Sequence, residues 1–108
     1  MWRRFFPYFT LYALLIVTTL PLIAGVVPPN RWYGFRLSLL NPSPEIWYQV
    51  NALGGKMFLA ALLACMGINL LLLWKAPPTV LNLLGWINAG LIAFSFWLVS
   101  VELVQLFQ

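Results

Sequence analysis

The 108-residue sequence contains no histidine, a single cysteine and only two acidic residues. The missing histidine removes most metal sites and most nucleophile–base pairs, because imidazole is the usual ligand in the first and the usual proton acceptor in the second. One cysteine, Cys65, leaves no partner for an intrachain disulfide. It lies inside an apolar run and reads as a packing residue. The two carboxylates, Glu45 and Glu102, are far apart in the chain, and no nucleophile or cofactor motif accompanies them. The sequence therefore argues for a non-enzymatic protein with no cofactor and no metal. Charged residues amount to 7%, against about a quarter in an ordinary soluble domain. The net charge of +4 comes from six basic side chains scattered near the ends of apolar runs. That is membrane-flank placement, with no basic patch or motif for nucleic acid.

What the chain has in quantity is apolar surface, 63% of its residues. A soluble fold of this length has too little interior to hide it, whereas a bilayer removes the need. The reading is an all-α membrane protein, one domain over 1–108, with three transmembrane helices and an interfacial helix or loop between spans 1 and 2. The first apolar run, about 9–27, is long enough to cross. Pro28-Pro29-Asn30-Arg31 follows it in place of a small-residue cleavage site, so this segment is expected to be a retained helix rather than a signal peptide. Pro21 is expected to kink it and Pro28-Pro29 to end it.

Residues 28–56 form the polar and aromatic part of the chain. Trp32, Tyr33 and Phe35 are expected at headgroup level. Ser43-Pro44-Glu45 combines a capping residue, a proline suited to the first helical position and an acid suited to the positive end of the dipole, so a helix is expected to start there. Trp47, Asn51 and Gly55 then share one face, and Gly54-Gly55 marks either a bend into the second span or a close helix contact. The second span is expected over about 57–74 and the third over about 80–103, joined by a tight Pro77-Pro78 connector. Small residues recur at Ala60, Ala64 and Gly67, and again at Gly85, Ala89 and Ala93. That spacing lets helices approach in lipid, so the two stripes are expected to face one another. Asn69, Asn82 and Asn88 are expected to hydrogen-bond between helices.

Three spans place Arg3, Arg4 and Lys75 on one side and Arg31, Arg36 and Lys56 on the other, so basic-residue counting sets no orientation. Glu45 and Glu102 join the second group. Charges near a bilayer pair where they can, and Arg36 or Lys56 is expected to pair with Glu45 or Glu102. The cluster reads either as a staple holding the loop to the helix ends or as a recognition site for an anionic or peptide ligand.

The intervals between Asn30, Gly34, Arg36, Trp47, Asn51 and Gly55, with Lys56 after the last, resemble the SdpI family of bacterial membrane proteins. The threonines that usually follow the arginine are replaced here by Leu37, Leu39 and Leu40. The resemblance implies a three-span unit in a bacterial cytoplasmic membrane. It also implies a role like that of the family's immunity protein, which protects against a membrane-active peptide toxin and signals by holding a regulatory protein at the membrane. The short tails of this chain offer little for such a regulator to grip. Two other readings stay open on the residues alone: a small accessory subunit of a larger membrane complex, and a component of an oligomeric transporter or channel.

Overall fold

The computed structural model describes residues 2–30, 33–35 and 44–107, and the elements among them are helices: α1 (Trp2–Ala24), α2 (Pro44–Lys75), α3 (Pro78–Leu81) and α4 (Leu84–Phe107). Three of these, α1, α2 and α4, are long and apolar enough to cross a membrane.

The first helix begins well before Phe9. Its early residues are held by Phe5, which is fully buried against Leu81 and Leu84 with Leu72, Leu73 and Ala76 around it. The helix also ends earlier than the Pro28-Pro29 pair would impose. Gly25, at φ +73°, donates to the Leu22 carbonyl at 3.2 Å and Val26 donates to the Pro21 carbonyl at 3.2 Å. These two bonds are the Schellman arrangement, which satisfies carbonyls that the helix end would otherwise leave bare.

From Pro44, α2 runs without a break to Lys75, with Glu45 in its first turn and Lys75 in its last. The expected interfacial stretch and the second span are therefore one helix. Gly54 and Gly55 mark close contact rather than a bend. A β-carbon at Gly54 would lie 2.7 Å from the Phe35 ring and 2.9 Å from Leu103, and one at Gly55 would lie 2.8 Å from Ile23. A helix of 32 residues is about 48 Å long, and the hydrocarbon core is about 30 Å thick. α2 is therefore longer than an upright crossing requires, and the long dimension of the molecule, 50 Å, is essentially that of α2.

The third span starts later than Val80. The short α3 follows Pro77, Asn82 N–H bonds to the Pro78 carbonyl, and Leu83 N–H turns back to Val80 at 2.9 Å. This elbow separates Asn82 from the spanning helix that begins at Leu84.

The central helix is α2, with α1 and α4 packed on it. The main core cluster joins Tyr12 and Leu22 of α1, Phe35 of the loop, Phe58, Leu62 and Cys65 of α2, and Val99 and Leu103 of α4. The small-residue stripes do not form this interface. Ala60, Ala64, Gly85, Ala89 and Ala93 are exposed, and Gly67 has open space where a β-carbon would be. The facing sets are Phe58, Leu62, Cys65 and Asn69 against Asn88, Ser95, Val99 and Leu103. One residue along a helix is about 100° of rotation. Ala64, next to inward Cys65, is therefore turned away, and Ala89 is turned from Asn88 in the same way. Polar groups within lipid have no water to bond, so the helices rotate to satisfy Asn69 and Asn88 rather than to bring alanines together.

Candidate functional site

The described residues between α1 and α2 are held by side chains that bond their backbone. Asn30 starts the turn: its Nδ2 donates to the Pro28 carbonyl at 2.8 Å, and its Oδ1 accepts the Tyr33 N–H at 2.7 Å. An asparagine bonding backbone a few residues on is the usual way this side chain fixes a turn. Two residues later Asn51 takes over. Its Oδ1 accepts the Phe35 N–H, and its Nδ2 donates to the Phe35 carbonyl at 3.4 Å and to the Trp47 carbonyl, one turn back in its own helix, at 3.0 Å. Asn51 is 2% exposed, so without it the Phe35 backbone would face the protein interior with neither group bonded. Trp47, one turn earlier on the same face, donates from Nε1 to the Val27 carbonyl at 3.0 Å.

Gly34 makes this docking possible in two ways. Its φ is +114°, a conformation that disfavours any L side chain. A β-carbon there would also lie 2.7 Å from Asn51 Oδ1 and 3.2 Å from the Trp47 ring. Phe35 then folds inward over Gly54. It is 6% exposed, stacks on Phe96 with centroids 5.7 Å apart and meets Phe58 edge-on at 6.1 Å. Phe35 is thus covered by protein, because a bonded backbone and a bare glycine surface let the ring enter the core. Tyr33 also turns inward, its hydroxyl donating to the Thr18 carbonyl. Beneath Gly34 and Phe35 lies a small cleft of about 120 Å³, lined by Thr18, Thr19, Leu22, Phe58 and Phe96. The hydroxyls of Thr18 and Thr19 are bonded to the Leu15 and Ile16 carbonyls of their own helix.

The structure therefore brings Asn30, Gly34, Trp47, Asn51 and Gly55 into one assembly, with Gly55 seated on Ile23 of α1. Arg31, Trp32, Arg36, Leu37, Leu39, Leu40 and Ser43 lie outside the described residues. The expected pairing of charges is not formed among the described residues. Lys56, Glu45 and Glu102 are exposed, and no ion pair joins them. Lys56 follows inward-facing Gly55 and Glu102 precedes inward-facing Leu103, so each is rotated outward by one helical step.

A second polar assembly lies in the middle of the bundle. Asn69 and Asn88 exchange reciprocal amide bonds at 2.8 and 3.1 Å. Each uses its other N–H for a carbonyl of its own helix, Cys65 at 2.9 Å and Leu84 at 3.0 Å. Tyr12 completes the set, its hydroxyl donating to Asn88 Oδ1 at 2.6 Å. Cys65 Sγ lies 3.5 Å from Ser95 Oγ, one turn nearer the loop. The three spanning helices are thus joined by side-chain hydrogen bonds at one level. Tyr12 and Ser95 were not distinguishable in sequence from other residues of apolar spans. Asn82 also bonds between helices, but from the elbow, where it accepts a 3.2 Å bond from Arg4. No group of three or more His, Cys, Asp or Glu side chains that could hold a metal ion occurs among the described residues.

The SdpI/YfhL protein family matches residues 26–104, which takes in the loop, α2, the elbow and nearly all of α4. The chain belongs to the SdpI/YfhL family. It is a small integral membrane protein of that family, and α1 precedes the matched region. Neither the curated proteins nor the solved structures gave a match. Within the SdpI/YfhL match, Asn30, Gly34, Trp47, Asn51 and Gly55 are the residues that dock the loop on α2.

Proposed function

We propose that this chain acts without catalysis in a bacterial cytoplasmic membrane, as an SdpI-type immunity or signalling protein. Its 30–56 element is the recognition surface for a membrane-active peptide. The observation that carries the reading is the docking of the loop backbone by Asn51. The described residues of this element are held in place by bonds at Asn30, Phe35 and Trp47, which lowers the ordering cost of binding. The element packs along the first turns of α2, the part of that helix that carries Glu45, Gln49 and Lys56. The exposed charges of Lys56, Glu45 and Glu102 lie near it and are available to a ligand. The test is deletion of the gene followed by challenge with membrane-active peptides. Sensitivity should rise, and the wild-type gene should restore protection. Lys56→Gln, at an exposed position, should restore less protection while keeping wild-type protein levels. Unchanged survival of the deletion strain across peptides of different charge and length would end this reading.

One observation favours a second reading, an accessory subunit of a larger membrane complex. The small residues of α2 and α4, together with Trp86 and Trp97, face outward and could seat a foreign helix. Stable co-purification with one large complex in mild detergent would support it, and a monodisperse isolated chain would count against it. The oligomeric-channel reading draws less support, because Asn69 and Asn88 are buried and bonded to each other.

A further inference from the structure

We propose that the end of the bundle opposite the loop is a binding surface for anionic phospholipid headgroups, with Arg3, Arg4 and Lys75 as its cations. The fold gathers these residues from distant parts of the sequence. Phe5 is fully buried against Leu81 and Leu84, and Leu72, Leu73 and Ala76 complete its surroundings. This contact draws the first turn of α1 onto the last turn of α2 and the elbow. Arg3 and Arg4 are both exposed there. Asn82 accepts one bond from Arg4 Nη1 at 3.2 Å, which orients the guanidinium. A guanidinium has five N–H donors in a planar array suited to phosphate oxygens. Lys75 lies 4.8 Å from the Trp74 ring centroid, so its ammonium is steadied at the same surface.

The depth of this surface is set by tryptophan. Among the described residues, Trp86 and Trp74 are the most exposed large hydrophobic side chains, at 81% and 74%. Exposed tryptophan at the ends of spanning helices belongs at headgroup level. The charge at this end is also of one sign. Both acids of the chain, Glu45 and Glu102, are on the first turn of α2 and the far part of α4, at the opposite end. Three cations therefore meet here without a carboxylate, because both acids lie at the other end. A lipid phosphate supplies the missing counter-charge at the depth where the tryptophans hold the surface. Arg3 and Arg4 precede the region matched to the family, so the proposal stands apart from the recognition role of the loop.

The test uses the full chain purified in mild detergent and exposed to equal amounts of phosphatidylglycerol and phosphatidylcholine with identical acyl chains. Bound lipid is counted by native mass spectrometry. The wild type should retain phosphatidylglycerol several-fold over phosphatidylcholine. The Arg3→Gln/Arg4→Gln/Lys75→Gln variant should fall to parity, while Lys56→Gln at the other end keeps the preference. Circular dichroism checks the triple variant's fold. If its helix content drops, Lys75→Gln alone is used and should remove part of the preference. Arg4→Lys should retain more of the preference than Arg4→Gln. Equal retention of the two lipids by the wild type would overturn the proposal, as would an equal loss in Lys56→Gln. Displacement of the bound lipid by millimolar inorganic phosphate would also overturn it, by making the surface a free-phosphate site.

Discussion

Asn51 at the loop end and the Asn69–Asn88 pair in mid-bundle use the same side chain on different problems. Asn51 bonds a piece of backbone that is not helical, supplying Phe35 with the partners a neighbouring strand would give. Asn69 and Asn88 bond each other, in helices whose backbones already satisfy themselves. The first arrangement lets irregular chain enter a bundle at all. The second chooses how helices that could pack in several rotations are turned. Removing the first therefore strands buried backbone groups, whereas removing the second leaves apolar surfaces that find other packings.

That contrast can be broken or sharpened by five substitutions, each read as thermal unfolding in detergent with limited proteolysis of the loop. Gly34→Val should have the largest effect. It combines a disfavoured φ, which costs about 1–3 kcal/mol, with a clash on Asn51, and loss of the Phe35 bonds adds roughly 1–3 kcal/mol. The loop should become the first site cut. Asn51→Leu should follow at roughly 2–3 kcal/mol, since it removes the bonds and keeps the backbone conformation. If it unfolds like the wild type, the docking is incidental and the comparison fails.

Asn88→Leu should cost less, about 1–2 kcal/mol, because hydrogen bonds between helices in membranes are individually weak. Tyr12→Phe should cost a fraction of that, as the amide pair survives it. Neither should make the loop a new proteolytic site. An Asn88→Leu protein that loses its loop before its helices would mean the two assemblies are one cooperative unit. Gly67→Ala should have the smallest effect and the opposite sign. Its β-carbon meets open space, and alanine stabilises a helix interior by roughly 0.5–1 kcal/mol over glycine. A destabilised Gly67→Ala would show that the outward stripe is covered by a partner under the conditions of measurement.

The cleft beneath Phe35 was not legible in the sequence. Phe35 lies among aromatic residues that all suit the headgroup layer, and its inward turn depends on Gly54 and Asn51 arriving beside it from α2. Tyr12 was hidden for the same reason, since one tyrosine in an apolar span has no neighbour in sequence that announces Asn88. The motif intervals were legible, because Trp47, Asn51 and Gly55 share one helical face and that periodicity is local.

The sequence by itself determined that this chain lives in a bilayer, that three segments cross it and that a helix begins at Pro44. These follow from run length, charge scarcity and turn chemistry, which act within a few residues. Only the tertiary structure decided which faces meet. In lipid the helices gain little by burying one apolar stripe rather than another, so the small residues do not settle the choice. The buried amides do, because each must find a partner and only one rotation of the helices provides it. The scarcity of charge with which the chain announces itself has a tertiary side as well. With two acids in the chain, both at the loop end, folding alone leaves Arg3, Arg4 and Lys75 together at the other.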